Sequence, residues 1–229
     1  MSATIAVIGA TGKQGGAVVD ALLERGSVTI RALVRDPDGE KGKALAARGV
    51  ELVAGDLTNP ESIDTVFTGV DAAFAMTTMA GPGGTDFEVA TGRAVADAAK
   101  RTALPHLVFS SVGGAERSSG IGHFESKRRV AARILLGGTV VEGESVEIAG
   151  DELTGPQIAA AFGDAAGMPS RYEALPLAAL AGMGDAVTMF EWFAKLPAYQ
   201  ADFAATRELA PEVLDLTSWI THVGWTSGN

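Results

Sequence analysis

The segment Thr4–Ile8 is a continuous β-branched and apolar run that passes directly into Gly9-Ala10-Thr11-Gly12-Lys13-Gln14-Gly15-Gly16 and then into a helical pattern from about Gly12 to Glu24. A strand that is apolar at consecutive positions is buried on both faces, the condition of a central strand in a parallel sheet. In the helix, Val18 and Leu22, and likewise Val19 and Leu23, recur four apart on one face, and Gly26 stands where a helix stops. A strand, a glycine turn and a helix in this order commit the chain to a crossover unit.

The alternation continues. Val28–Val34, Glu51–Ala54, Ala72–Met76 and His106–Phe109 read as strands. Between them lie helical patterns closing at Leu45–Arg48, filling Pro60–Phe67 behind a first-turn proline, and marked by a face of Phe87, Ala90, Ala94 and Ala98. Strands alternating with helices specify βαβ units, so the predicted fold class is α/β, a Rossmann-type doubly wound parallel sheet. After a small polar loop at Gly113–Gly122, His123–Leu136 reads as a further helix. Beyond it come a short strand at Val146–Ile148, a capped helix from Thr154 through Phe162, a strand near Tyr172 and helices around Met189 and Leu214. This gives two expected domains, 1–136 for the sheet and 137–229 for a small α+β C-terminal lobe. A length of 229 residues, 47% hydrophobic and 20% charged, suits one large domain with an appendage.

Composition removes several functions. With 18 basic and 28 acidic residues the formal charge is −10, so no direct nucleic-acid binding is expected. No cysteine is present, which excludes disulfides, thiolate metal sites and cysteine nucleophiles. His106, His123 and His222 share no metal-ligand spacing, so no metal is expected, and no GxSxG elbow exists. Acidic residues fall mostly singly along helices, as on a solvated face. No uncharged apolar stretch approaches the roughly 18 residues of a membrane span, and the N-terminus has no basic stretch before its apolar run. The chain reads as soluble and cytoplasmic.

Gly9, Gly12 and Gly15 have the spacing GxxGxxG in a strand-to-helix turn. Glycine there serves positive φ, close approach of a diphosphate to the backbone, and tight packing of helix on strand, while the helix start presents free N–H groups to an anion. A Walker loop needs four residues where two separate Gly9 from Gly12, and Ser or Thr where Gln14 stands. Candidate dinucleotide contacts are therefore Gly9, Thr11, Gly12, Lys13, Gln14 and Gly15. At the end of the second strand, where an acidic residue would bind the ribose 2′-hydroxyl of NAD, this chain has Arg35. A guanidinium can clamp a 2′-phosphate, so the cofactor expected is NADP(H), with Lys13 adding charge. The competing reading pairs Arg35 with Asp36 or Asp38. Asp56 and Leu57 after the third strand fall at the adenine, and Thr77 and Thr78 after the fourth fall beside the ribose and nicotinamide.

The runs VIGATGKQGG, LVRDP, GDL, FSSVGG and GHFESKRRV resemble those of the NmrA-like proteins, atypical relatives of the short-chain dehydrogenases that include NADPH-sensing regulators. IAGDELTGPQIAAAF and MFEWF are similar to that family's small substrate or partner lobe. The resemblance implies a Rossmann-type domain, NADP(H) binding, a hydrogen bond from Lys127 to the nicotinamide ribose and, in several members, signalling through a protein partner with feeble turnover. In the family a sixth strand and a long excursion separate the ESK helix from IAGDELT. Here Ala132–Gly143 is nearly all that joins them, which puts one wall of a substrate pocket in question.

Active short-chain dehydrogenases place Tyr four residues before Lys on one helix face. The spacing survives as His123 and Lys127, without the tyrosine; Tyr172 and Tyr199 are followed four residues later by Pro176 and Phe203. Lys127 and His123 are the catalytic candidates, His123 because histidine is the side chain suited to proton donation near neutral pH. Against this, a lone histidine at a helix start more often serves a structural role. Ser110 and Ser111 either orient a carbonyl or satisfy the strand end. Met189, Phe190, Trp192 and Phe193 read as core in preference to a partner surface. The leading expectation is a redox-state sensor or regulator; the rival is an NADPH-dependent reductase of a quinone or other carbonyl compound.

Overall fold

The computed structural model describes residues 2–117, 119–136, 145–195 and 197–227. Five parallel strands, β1 (Ala3–Ile8), β2 (Val28–Val34), β3 (Glu51–Ala54), β4 (Ala72–Met76) and β5 (Leu107–Ser110), form one sheet in the order β3-β2-β1-β4-β5. The chain builds outward from β1 to β3, then returns to β1's other side for β4 and β5. Register is continuous across the centre, with Val7 opposite both Ala32 and Phe74. The crossovers are α1 (Lys13–Arg25), α2 (Glu40–Ala47), α3 (Pro60–Phe67) and α4 (Thr85–Arg101), followed by α5 (Gly122–Leu136).

Successive side chains of a strand point to opposite faces, and both faces of β1 are covered. Ala6 and Ile8 join Ile63, Val66, Phe67, Val95 and Ala98 in one core, while Val7 joins Val19, Ile30, Ala32 and Leu45 in the other. Helices therefore lie on both sides of the sheet, as the sequence predicts. The α1 stripe of Val18, Val19, Leu22 and Leu23 packs on the second core, and Gly26 caps that helix at φ 65°. The α4 stripe is rotated from the expected one. Glu88, Thr91, Gly92, Val95, Ala96, Ala98 and Ala99 are buried and Ala90 is exposed, because α4 is covered by the sheet on one flank and by α5 on another.

The chain divides into two compact units, Met1–Gly143 and Glu144–Asn229. The expected domain boundary after residue 136 borders 137–144, which lie outside the described residues together with most of the shortened join. The second unit holds α6 (Gly155–Ala166), α7 (Ala186–Phe193), α8 (Phe203–Leu209) and α9 (Leu216–His222). Thr154 and Gln157 form a reciprocal capping box at the start of α6, the cap expected there. The strands expected at Val146–Ile148 and near Tyr172 are not formed. The first segment forms no ladder; beside it, Gln200 N–H donates to the Glu147 carboxylate at 2.5 Å and Ala149 N–H to Thr206 Oγ1 at 3.4 Å. Nor are Met189, Phe190, Trp192 and Phe193 core. None is buried, and Tyr199 meets Trp192 edge-on at 5.8 Å and Phe193 at a tilt at 5.4 Å within a small aromatic cluster.

Candidate functional site

In a doubly wound sheet ligands bind at the carboxyl ends of the strands where the winding reverses, here between β1 and β4. Gly9 follows β1 at φ 84°, and a Cβ on it would lie 3.0 Å from the Met76 side chain. Gly12 is ordinary extended backbone at φ −97°, and its N–H is taken by Gly9 O at 2.9 Å. Gly15 faces back into the turn, where a Cβ would come within 2.3 Å of Gly9 O. The three glycines thus divide the expected roles: Gly9 supplies positive φ and Gly15 supplies close packing. No side chain caps α1 and no acidic residue stands in its first turn. The amides of Lys13, Gln14 and Gly15 are left without intrahelical partners, as at any helix start, where such groups can receive an anion.

A cleft of about 260 Å³ opens beside this turn, lined by Thr11, Val34, Arg35, Asp36, Gly39, Glu40 and Lys41. Among the described residues no ion pair engages Arg35. Asp36, one of the expected partners, accepts the Gly39 N–H instead at 2.9 Å. The second cation lining the cleft is Lys41, whose Nζ reaches Thr11 O at 3.4 Å; Lys13 is exposed and not among its lining residues.

Asp56 and Leu57 follow β3. Leu57 packs against the core, and the Asp56 carboxylate accepts both the Thr58 hydroxyl at 2.7 Å and the Thr58 N–H at 2.8 Å. Those two bonds, the hydroxyl first, hold its pKa below the usual 3.8; nearby Arg35 acts in the same direction and partial burial opposes it. A depressed folded pKa gives stability that is present above the unfolded value and lost as pH falls through the folded one. Asp56→Asn is therefore expected to flatten the acid limb of a stability-versus-pH curve below about pH 4. Superimposable acid limbs for the variant and the parent protein would refute this.

At the ends of β4 and β5 the sequence-derived residues meet. Lys127 Nζ donates to Thr77 O at 2.7 Å, to Thr77 Oγ1 at 3.3 Å and to Ser110 O at 3.5 Å, and forms an ion pair with Glu88 at 3.0 Å. Thr77 is buried and its hydroxyl donates to Glu88 at 3.2 Å, whereas Thr78 is exposed and accepts the Ala80 N–H. The Ser110 hydroxyl accepts from Gln14 Nε2 at 2.8 Å, so it joins the glycine turn to β5. Ser111 is exposed. The His123 ring lies edge-on against Phe124 at 4.9 Å. Glu88 corrects the expectation that the acidic residues lie on solvated faces: it is 2% exposed. Among the described residues no group of three or more potential ligands could hold a metal, and no helix is long and apolar enough to cross a membrane.

Sheet order, glycine turn and switch-point position define a Rossmann-type α/β protein with an uncapped, glycine-packed helix start at the switch point. The model of the NmrA-like family matches residues 1–140, and the chain belongs to that family. The NmrA-like family domain-containing oxidoreductase FrzB of a Cladobotryum species is 38% identical over 117 residues. That match spans 48% of this chain and 34% of FrzB, about a third of the relative's length. Among solved structures, the NADPH-dependent quinone oxidoreductase QOR2 of Escherichia coli complexed with NADPH superposes with a TM-score of 0.76 at 19% identity, over 96% of this chain and 100% of the other. NmrA, a negative transcriptional regulator, gives 0.76 at 19% over 97% and 96%. At these identities the two structures establish the shared fold.

Proposed function

We propose that the chain binds NADP(H) at the Gly9–Gly15 turn and the Arg35–Lys41 cleft and acts as a redox-state sensor or regulator toward a protein partner, with weak or no turnover. The observation that carries this reading is an uncapped, glycine-packed helix start beside a lysine already committed to Glu88, Thr77 and Ser110, with no tyrosine four residues before it.

The residues present fit the cofactor. The first-turn amides of Lys13, Gln14 and Gly15 would take the diphosphate, Arg35 and Lys41 the 2′-phosphate, and Lys127 the nicotinamide ribose. When bound, the cofactor supplies a hydride at its nicotinamide ring. QOR2 holds NADPH on this fold and NmrA is a regulator on it, which supports both halves of the proposal.

Calorimetry on the folded chain is expected to show NADPH binding at least about tenfold more tightly than NADH, the scale of a charge-assisted contact to one phosphate. In the same preparation, NADPH oxidation with a panel of quinones is expected to stay at the buffer rate. Turnover well above it would move the protein to a second reading, an NADPH-dependent oxidoreductase of a quinone or other carbonyl compound, which the oxidoreductase FrzB favours. Binding of neither dinucleotide would end both.

A further inference from the structure

We propose that Glu88 is a positioning residue: it sets where the Lys127 ammonium stands and, through it, how tightly the nicotinamide half of the dinucleotide is held, an inference that rests on the NADP(H) reading above. Glu88 lies in the first turn of α4 and is buried. Its Oε1 pairs with Lys127 Nζ at 3.0 Å and accepts the Thr77 hydroxyl at 3.2 Å; its Oε2 accepts the Ser126 hydroxyl at 2.5 Å. Donors from the end of β4 and from α5 thus converge on one carboxylate and leave it no freedom to swing.

Removing two charges from water is costly, and an apolar pair of similar volume is often as stable. Stability alone therefore does not account for a carboxylate at this depth. What the pair supplies is location. A lysine side chain has four carbons of rotational freedom, and its charge is a compact point. Tied to Glu88, to Thr77 O and more loosely to Ser110 O, that point is centred over the carboxyl ends of β4 and β5. The 3.5 Å contact to Ser110 O is the weakest of the set and the one a ribose hydroxyl would take over. Ser110 also carries a hydroxyl that accepts from Gln14, so one residue meets Lys127 through its backbone carbonyl and the glycine turn through its side chain.

The test compares NADPH with adenosine 2′,5′-bisphosphate, which lacks the nicotinamide half. Glu88→Gln is expected to weaken NADPH roughly tenfold, the scale of one hydrogen bond to a charged group, and to leave the bisphosphate within about twofold. In a Lys127→Met background the same substitution is expected to have no further effect on NADPH, as coupling through one cation requires. Equal losses for both ligands, unchanged NADPH affinity, or losses additive with Lys127→Met would overturn the proposal. Should Glu88→Gln fail to fold, the double variant Glu88→Gln/Lys127→Met removes both charges together. It is expected to bind NADPH as Lys127→Met does and the bisphosphate as the parent protein does; any other pattern overturns the role. If the parent protein binds neither ligand, the NADP(H) reading falls and this inference with it. If the parent binds both and Glu88→Gln alters neither, the role of Glu88 alone falls.

Discussion

Gly15→Ala is expected to abolish dinucleotide binding, with affinity for NADPH falling by a factor on the order of one hundred or more and a lowered Tm. The new methyl carbon would stand 2.3 Å from Gly9 O and 2.5 Å from Gly9 C, and both are backbone atoms of the turn itself. No rotamer change relieves such a contact, so either α1 lifts off β1 or the turn opens. Overpacking of this kind costs typically 1–3 kcal/mol and sometimes more. For a chain of this size each kcal/mol lowers Tm by about 2–4 °C. Binding suffers further because the donors at the start of α1 are displaced with the helix. Gly12→Ala is the control. Its backbone is extended and the nearest atom would lie 3.3 Å away, so a much smaller effect on Tm is expected. Calorimetry and thermal unfolding on the two variants decide the matter, and a Gly15→Ala protein that binds NADPH like its parent would refute the anion-binding role of the turn.

Arg35→Asp is expected to weaken NADPH by about a hundredfold while changing NADH by less than about threefold. The cleft is lined by two cations, Arg35 and Lys41, and by two carboxylates, Asp36 and Glu40. The substitution leaves one cation against three carboxylates, facing a doubly charged phosphate. A free ribose hydroxyl carries no such charge and can accept the new carboxylate as a partner. Lys41→Ala is expected to act in the same direction with a smaller effect, since it removes a charge without reversing one. Equal losses for both dinucleotides with Arg35→Asp would show that this side chain does not read the 2′-phosphate.

The sheet was legible because each of its determinants is local. Thr4–Ile8, Val28–Val34 and Ala72–Met76 announce their burial by composition, and Pro60 and Gly26 mark helix ends by backbone chemistry. The geometry of the candidate site was legible where it too is local, at the Gly9–Gly15 turn and at Arg35 beside the cleft. Glu88 was not, because its pairing with Lys127 is made by tertiary packing of α4 on α5 across 39 positions of chain, and a carboxylate in a first helical turn looks the same whether it meets solvent or a buried ammonium. Lys41 escaped notice for a related reason: it enters the cleft only because α2 begins immediately after the bend at Asp36. The failed strands at Val146–Ile148 and Tyr172 show the reverse error. β-branched composition describes what a strand can tolerate, but a strand also needs a partner edge, and among the described residues of the second unit no strand stands to supply one.

The central position of β1 has a consequence for how the protein comes apart. Amide exchange from this strand, flanked by β2 and β4, requires rupture on two sides, whereas β3 ends the sheet on one side and β5 does so on the other among the described residues. The glycine turn proposed to hold the diphosphate is thus moored to the last part of the sheet to open, while Ser110, at the end of the four-residue β5, rides on one of the first. Grip on the diphosphate should outlast grip on the nicotinamide as the molecule warms.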